Sequence, residues 1–149
     1  MKNIHLLVAL ASEIPVSHTK TPISWGNDAP LITHITGIGK LNAALKAMQV
    51  IHEYGRENIH LMLNFGTAGA VKDGFSGLIK ISRLCQRDMD IRPLNLPLGQ
   101  SSFDMDDRYI TIDAGGAITL GSGDNFVTSP PEMQCDLVDM EGYAIAKIC

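Results

Sequence analysis

The sequence has little positive charge, few cysteines and no long apolar run, and each scarcity excludes a class of protein. Its 12 Lys and Arg residues are outnumbered by 16 Asp and Glu residues, giving a net charge of -4. A sequence-independent grip on nucleic acid needs a concentrated basic face. No apolar stretch approaches the ~20 residues that span a membrane. We therefore expect neither nucleic acid nor a membrane as the main partner.

The cysteines and histidines are also few, and their spacing excludes the common metal sites. Cys85, Cys135 and Cys149 form no CxxC pair, and three cysteines cannot all pair within one chain, as is typical of a reducing compartment. The five histidines show no HExxH or comparable spacing. The stretch HLLVALASE could imitate a signal peptide, but it is short and poorly charged, so a buried first strand is favoured. We expect a cytoplasmic protein without a metal or other cofactor.

The remaining composition, 149 residues with 45% hydrophobic content, is enough for one buried core. We predict a single domain over residues 1–149. The order of apolar runs and helical spacing predicts an α/β sandwich. The predicted strands are Ile4 to Leu10, LITHIT, IHLMLNF, GLIKISRL, YITID, AITLGSG and LVDM, the helices run from Lys40 to Tyr54 and from near Met140, and long loops cover 14–30 and 86–108.

Three glycine-containing segments follow predicted strands, at the edge where open α/β sheets bind ligands. TGIGKLN could offer backbone N–H groups to a phosphate, but it matches neither a Walker A loop nor a dinucleotide fingerprint, so a tight turn is the simpler interpretation. NFGTAGA places Gly66, Thr67 and Gly69 where a ligand could approach, or where the strand simply turns. In GSGDNFV, Phe126 could stack on a planar ring or lie in the core. Both interpretations stay open for each segment.

Two carboxylates, Asp139 and Glu141, flank Met140 before the last predicted helix. They could complement the positive end of the helix dipole or belong to a solvated face. If the backbone is extended there, both point to the same side.

The order of these segments is specific: Glu13 after the first strand, then TGIGKLNAA, NFGTAGA, SGDNFV and VDMEGYAIA. This series resembles the nucleoside phosphorylase and nucleosidase superfamily, and most closely its 5'-methylthioadenosine/S-adenosylhomocysteine nucleosidase branch. The match touches most of the chain and is weakest at 14–30 and 86–116. The resemblance implies a three-layer αβα sandwich with a mixed central sheet, which binds a purine nucleoside at the carboxyl edge of its strands. It also implies a homodimer whose partner completes the site.

The resemblance further implies which residues touch the nucleoside. Glu13 matches the carboxylate that activates the attacking water, and Thr67 matches a Ser or Thr beside the sugar, while Gly69 lets the substrate approach the backbone. Asp124 is expected to shape its loop. The ribose and base are held by Glu141 on the ribose hydroxyls, Met140 against the sugar, Phe126 on the base, and the backbone of Val127 on the purine edge.

Phosphorylases of the superfamily resemble this sequence too, but they hold phosphate with arginines. One of these arginines lies two residues before the GT glycine, and this sequence has Asn64 at that position. Hydrolysis is therefore favoured over phosphorolysis.

In the family, the helix after the MEG motif leads to another strand and a Ser-Asp pair whose aspartate protonates the departing purine. The sequence ends at Cys149, so we expect a C-terminally truncated fold. Three accounts are open: a fragment of a longer product, a short form that binds without turnover, or another acid, with Asp88 and Asp90 as candidates. The predicted function is a purine nucleosidase acting on 5'-methylthioadenosine/S-adenosylhomocysteine-like nucleosides, with the 5' substituent left open. A nucleoside phosphorylase, or a catalytically silent nucleoside-binding or assembly protein, is the alternative.

Overall fold

The computed structural model describes residues 2–14, 30–101 and 107–149. Within these residues, the chain forms eight strands and two α-helices. The strands are β1 (Asn3–Val8), β2 (Leu31–Ile35), β3 (Ile59–Asn64), β4 (Gly69–Ala70), β5 (Arg83–Gln86), β6 (Tyr109–Thr111), β7 (Thr119–Ser122) and β8 (Leu137–Asp139). The α-helices are α1 (Lys40–Tyr54) and α2 (Gly142–Ile148), and short 3₁₀ helices cover Ala11–Glu13, Arg56–Asn58 and Arg92–Leu94.

The first sheet is parallel and has the order β2-β1-β3. β1 lies in its centre, and the side chains of Leu7 and Val8 are fully buried. A central parallel strand is covered on both faces, which explains why β1 is apolar almost throughout. The predicted central first strand is therefore confirmed.

The second sheet is mixed and has the order β4-β8-β7-β5-β6. Its middle strands β5, β7 and β8 are parallel, and β4 and β6 add antiparallel edges. All four residues of β7 are buried. Since parallel strands of a sheet end at one edge, the segments after β7 and β8 emerge side by side.

The two α-helices pack on each other and on β1 through small side chains. Ala43 and Ala47 of α1 meet Ala144 and Ile145 of α2, with Leu7 of β1 beneath them. A second core cluster joins the other sheet to α2 through Leu84, Leu120, Leu137 and Tyr143. The core therefore continues from one sheet to the other by way of α2.

Three predictions for these elements need correction. β3 is a strand but not a buried one, because it lies at the edge of its sheet and leaves Leu61 exposed. GLIKISRL does alternate, with Ile79 and Ile81 facing the core, yet regular pairing begins only at Arg83, opposite Thr119 of β7. The last helix begins at Gly142 rather than near Met140.

Parts of the two predicted long loops, 15–29 and 102–106, lie outside the described residues. Among the helices that are described, the longest has 15 residues, and none has the length and hydropathy to cross a membrane. The three cysteines are free thiols, with Cys85 and Cys135 buried and Cys149 exposed.

Candidate active site

A cavity of about 400 Å³ lies where β1, β3, β7 and β8 end, and we call it the strand-end cavity. The segments that follow these strands, two from each sheet, form most of its wall, as expected for a ligand site at the carboxyl ends of strands in an α/β fold. Its lining includes all seven residues selected from the sequence: Glu13, Thr67, Gly69, Phe126, Val127, Met140 and Glu141.

Glu13 is held on the wall by three hydrogen bonds. Its Oε1 accepts from the backbone N–H and the hydroxyl of Thr67, both at 3.0 Å, and its Oε2 accepts from the N–H of Leu10 at 3.0 Å. Burial raises the pKa of this carboxyl, but the hydrogen bonds outweigh burial and leave the pKa below its ordinary value. Glu13 is therefore ionised at neutral pH, in the form that can accept a proton.

The glycines of NFGTAGA have structural reasons to be glycine. A Cβ at Gly66 would lie 3.1 Å from Oε1 of Glu13, and a Cβ at Gly69 would lie 3.1 Å from the side chain of Val138. Gly66 thus lets Glu13 approach Thr67, and Gly69 lets β4 pair closely with β8. Thr67 is a hydrogen-bond donor to the Glu13 carboxylate, and the sequence analysis did not predict this contact.

Glu141 lies at the N-terminus of α2 and reaches across to α1. Its Oε1 accepts from the backbone N–H of Gly39 at 2.7 Å. Burial raises the pKa of Glu141, and the nearby charges of Asp139 and Glu13 raise it too. The hydrogen bond from Gly39 lowers this pKa, but the net result is a raised value. One oxygen is fixed by the backbone, which orients the carboxylate on the cavity wall.

Asp139 has a different set of partners from Glu141. Its carboxylate accepts from the hydroxyl of Ser122 and, at 2.7 Å, from the backbone N–H of Gly142. The Ser122 oxygen in turn accepts from the N–H of Tyr143 at 2.7 Å. Burial raises the pKa of Asp139, against these hydrogen bonds. Asp139 therefore caps α2 and ties it to β7.

The N–H groups that TGIGKLN could have offered to phosphate are occupied by carboxylates of the chain itself. Gly39 N–H donates to Glu141, and Lys40 N–H donates to Oδ1 of Asp124 at 2.8 Å. Gly37 and Gly39 both have positive φ, at 81° and 96°, which favours glycine. The segment is therefore a turn whose N–H groups, at the start of α1, bind carboxylates of the same chain.

Phe126 is 87% exposed, so it is not a core residue, and its ring borders the strand-end cavity. The loop that carries Phe126 is held by hydrogen bonds from the buried Arg87. Arg87 donates to Oδ1 of Asn125 at 2.7 Å and to the carbonyls of Gly123 and Asn125. Neither Arg87 nor Asn125 was selected from the sequence, although both line the cavity.

Asp88 and Asp90, the candidate substitutes for the purine acid, are poorly suited to donate a proton. Asp88 accepts from the ammonium of Lys40 and from the N–H of Asp124, and these bonds outweigh burial and lower its pKa. Asp90 is paired with Arg92, which lowers its pKa to about 2. Neither aspartate is part of the cavity lining.

Comparison with known proteins gives relatives of one kind, although no family model matches the chain. A 5'-methylthioadenosine/S-adenosylhomocysteine nucleosidase of Lysinibacillus sphaericus is 25% identical over 139 residues, covering 76% of this chain and 59% of the relative. The nucleosidase of Staphylococcus carnosus is 27% identical over 163 residues, covering 92% of this chain and 69% of the relative.

Solved structures share the fold over the whole chain. A futalosine hydrolase mutant of Helicobacter pylori superimposes with a TM-score of 0.78 at 21% identity, covering 100% of this chain and 83% of that one. A mutant of the Helicobacter pylori nucleosidase with 5'-methylthioadenosine in its active site gives 0.78 at 22% identity, covering 100% and 79%.

These comparisons confirm both the resemblance to the nucleoside phosphorylase and nucleosidase superfamily and the mixed α/β fold. The chain spans 59% of the length of the Lysinibacillus relative. The activity of the relatives therefore does not by itself extend to this chain.

Proposed function

We propose that this chain, whose motifs and fold are those of the nucleoside phosphorylase and nucleosidase superfamily, is a purine nucleosidase. It hydrolyses the N-glycosidic bond of nucleosides like 5'-methylthioadenosine and S-adenosylhomocysteine. The observation that carries the proposal is the meeting of Glu13, Glu141 and Phe126 on one cavity of about 400 Å³. These groups supply a base, a sugar anchor and a stacking surface.

Glu141 is the proposed ribose anchor. A carboxylate that accepts from two neighbouring hydroxyls makes charge-assisted hydrogen bonds and orients the sugar. The bond from Gly39 to Oε1 leaves Oε2 and the other lone pairs for the ribose. Met140 is proposed to pack against the sugar beside Glu141, and Gly69 to lie on the cavity wall that the substrate approaches.

Phe126 and Val127 form the proposed base site. An exposed aromatic ring offers its face to a flat purine, and stacking of this kind contributes about 0.5–1.5 kcal/mol beyond buried area. The backbone of Val127 supplies the polar groups that read the purine edge.

Glu13 is the proposed general base. Breaking the N-glycosidic bond builds oxocarbenium character at the anomeric carbon, and an ionised carboxylate can take the proton of the water that attacks it. The low pKa of Glu13 keeps it ionised. Thr67 orients the carboxylate through the two bonds to Oε1.

The cavity is better suited to bind water than phosphate as the nucleophile. The backbone N–H groups at the start of α1 already donate to Glu141 and Asp124, and Asn64 replaces the arginine that phosphorylases use. Glu13, Asp139 and Glu141 add negative charge to the lining of the adjoining cavity of about 430 Å³. An anionic nucleophile would be repelled there.

One observation favours a second candidate, a nucleoside-binding protein without turnover. General acid catalysis contributes roughly 10²–10⁴-fold, and the two aspartates proposed as acids have lowered pKa values and lie off the cavity lining. If no other group protonates the purine, the site binds nucleoside and releases little base.

We further propose that the protein acts as a cytoplasmic homodimer. The free thiols fit a reducing compartment. α1 presents Leu41, Leu45 and Met48 to the outside, with Leu41 81% exposed, and such an apolar stripe is typical of an interface. Ile38, at the start of this stripe, also lines the strand-end cavity, which would bring a partner close to the site.

The first test is chromatography of the protein incubated with 5'-methylthioadenosine, with and without phosphate. Adenine released equally in both supports a nucleosidase, and adenine released only with phosphate supports a phosphorylase. Saturable binding without adenine supports the silent binder.

A further inference from the structure

Arg87 is a buried cation that the proposed chemistry does not use. It follows β5 and is only 7% exposed. Burying a guanidinium is unfavourable unless its N–H groups find acceptors. Its Nη1 donates to Oδ1 of Asn125 at 2.7 Å, and its Nη2 donates to the carbonyls of Asn125 at 2.5 Å and Gly123 at 3.2 Å. Every one of these acceptors lies in the loop just before Phe126.

Gly123 in this loop and Gly121 in the preceding strand β7 both have close protein neighbours. A Cβ at Gly123 would come within 2.7 Å of the guanidinium carbon of Arg87. A Cβ at Gly121 would lie 2.8 Å from the Cys135 sulfur and 3.3 Å from the Cβ of Arg87. A Cβ at Gly123 would displace the guanidinium of Arg87, so glycine at this position lets Arg87 lie beneath the loop. The shortest contact at Gly121 is with Cys135, so that glycine chiefly accommodates the Cys135 side chain.

Asp88, the residue after Arg87, also contacts this loop. Oδ2 of Asp88 accepts from the N–H of Asp124 at 2.8 Å, and Asp88 is itself paired with the Lys40 ammonium. Arg87 and Asp88 therefore fix three consecutive residues, Gly123 to Asn125, ahead of the exposed ring of Phe126.

We propose that Arg87 is a positioning residue that holds the loop 123–127 in the conformation that receives the purine base. The inference rests on the proposed function for the identity of the ligand. A loop that samples other conformations binds more weakly, in proportion to the fraction that is competent. Arg87 acts through the loop, because both of its Nη groups donate to loop residues, whereas its buried Nε has no hydrogen-bond partner among the described residues.

The test compares Arg87→Met with the matched control Arg83→Met. Arg83 lies four residues earlier, donates to Thr119 and does not line the cavity. In Arg87→Met we expect the KM for 5'-methylthioadenosine to rise about tenfold or more, with kcat changed far less, because hydrogen bonds to a charged donor are lost and only uniform binding weakens. Arg83→Met should keep the wild-type KM. A purely structural role would reduce the amount of folded protein and leave KM unchanged.

Hydrogen exchange of the amides in 123–127 gives a second readout that needs no turnover. Arg87→Met should speed their exchange about tenfold or more, with no such change in α1. Unchanged exchange and unchanged KM would overturn the proposal. If the wild-type protein neither binds nor cleaves the nucleoside, the proposed function fails, and exchange alone decides whether Arg87 positions the loop.

Asn125 provides a milder pair of variants in case Arg87→Met does not fold. Asn125→Asp keeps an acceptor for Arg87, whereas Asn125→Ala removes it. We expect Asn125→Ala to speed exchange in the loop and Asn125→Asp to restore wild-type exchange. Equal exchange in both variants would contradict the role of Arg87.

Discussion

Asp139 and Glu141 are separated by one residue, yet their carboxylates have different tasks. Asp139 is satisfied by Ser122 and Gly142, inside the junction of β7 and α2. Both residues line the strand-end cavity, but Asp139 uses both of its carboxylate oxygens in these bonds, whereas Glu141 accepts from Gly39 through Oε1. The backbone leaves its extended conformation after Asp139, so the expected alternation ends there. We therefore assign a structural role to Asp139, and Glu141 remains the proposed anchor of the ribose.

Glu13→Gln tests the proposed base. The amide cannot accept a proton from water, so adenine release should fall by about 10²–10⁴-fold, while nucleoside binding is largely kept. Release is followed by chromatography, and binding by calorimetry. Glu57→Gln, a change outside the cavity lining, should behave as wild type. Wild-type turnover in Glu13→Gln would exclude this role.

At the residue scale, motif order predicted more of the site than residue type did. The seven selected residues share the strand-end cavity because their segments follow β1, β3, β7 and β8, whose carboxyl ends border it. Arg87 and Asn125 were missed because they meet across 38 positions. The signal that could have revealed Arg87 is Gly123, which leaves space for a large side chain.

At the scale of elements, the start of α1 joins the two halves of the site. Gly39 and Lys40 bind Glu141 and Asp124, which follow β8 and β7 respectively. The helix N-terminus carries partial positive charge and is stabilised by these carboxylates. A change in this turn should therefore affect both walls of the cavity.

Gly39→Ala tests this connection, with Gly74→Ala as the control. Both glycines have a positive φ, at 96° and 95°, that would strain an alanine. At Gly39 a Cβ would also lie 3.1 Å from Asp124, whereas at Gly74 none of the described residues comes within 4 Å. Each variant should lose about 1–3 kcal/mol of unfolding free energy. Only Gly39→Ala should also weaken nucleoside binding. Equal affinities in the two variants would argue against the connection.

A histidine pair, with His5 buried and His34 half-buried, links β1, β2 and α1. Nδ1 of His5 lies 2.9 Å from Nε2 of His34, and the His5 ring meets the edge of Tyr54 at 4.4 Å. Burial lowers both pKa values. The charge of His34 lowers that of His5 further, and the charge of Lys46 lowers that of His34, while Glu53 opposes both effects. The folded chain therefore binds these protons less readily than the unfolded chain.

The sign of the pH dependence follows from these lowered pKa values. The stabilisation is complete above the unfolded value of 6.5 and is lost as pH falls from there through the folded pKa values. Urea unfolding from about pH 7.5 to 5.5 should show this loss, and His5→Phe should flatten it. His60→Gln, a change at an exposed site, should keep the wild-type slope. An unchanged slope in His5→Phe would contradict the assignment.

Helix and strand positions followed from the sequence, but the faces they bury did not. Helical spacing gave α1 its observed bounds, Lys40–Tyr54. Leu41, Leu45 and Met48 are nevertheless exposed, because the face that packs on α2 carries the small residues Ala43 and Ala47. β3 has the composition of a buried strand and lies at a sheet edge. The spacing of apolar residues alone cannot distinguish a face that packs in the core from an exposed apolar face.

At the scale of the whole molecule, the exposed stripe of α1 predicts self-association. Leu41→Glu places a charge in the proposed interface and should shift a dimer toward monomer in sedimentation at micromolar concentration. Because Leu41 is 81% exposed, the folded monomer should tolerate the change. Gln49→Glu, on the same helix and also exposed, is the control. A wild-type monomer, or a dimer unaffected by Leu41→Glu, would contradict this interface.

The central claim is that water, activated in the strand-end cavity, cleaves the nucleoside. The most direct measurement is mass spectrometry of the sugar formed from 5'-methylthioadenosine in ¹⁸O-labelled water without phosphate. The account predicts adenine and a methylthioribose that carries one labelled oxygen at the anomeric carbon. A sugar phosphate formed only after phosphate is added, or bound nucleoside recovered intact, would contradict it.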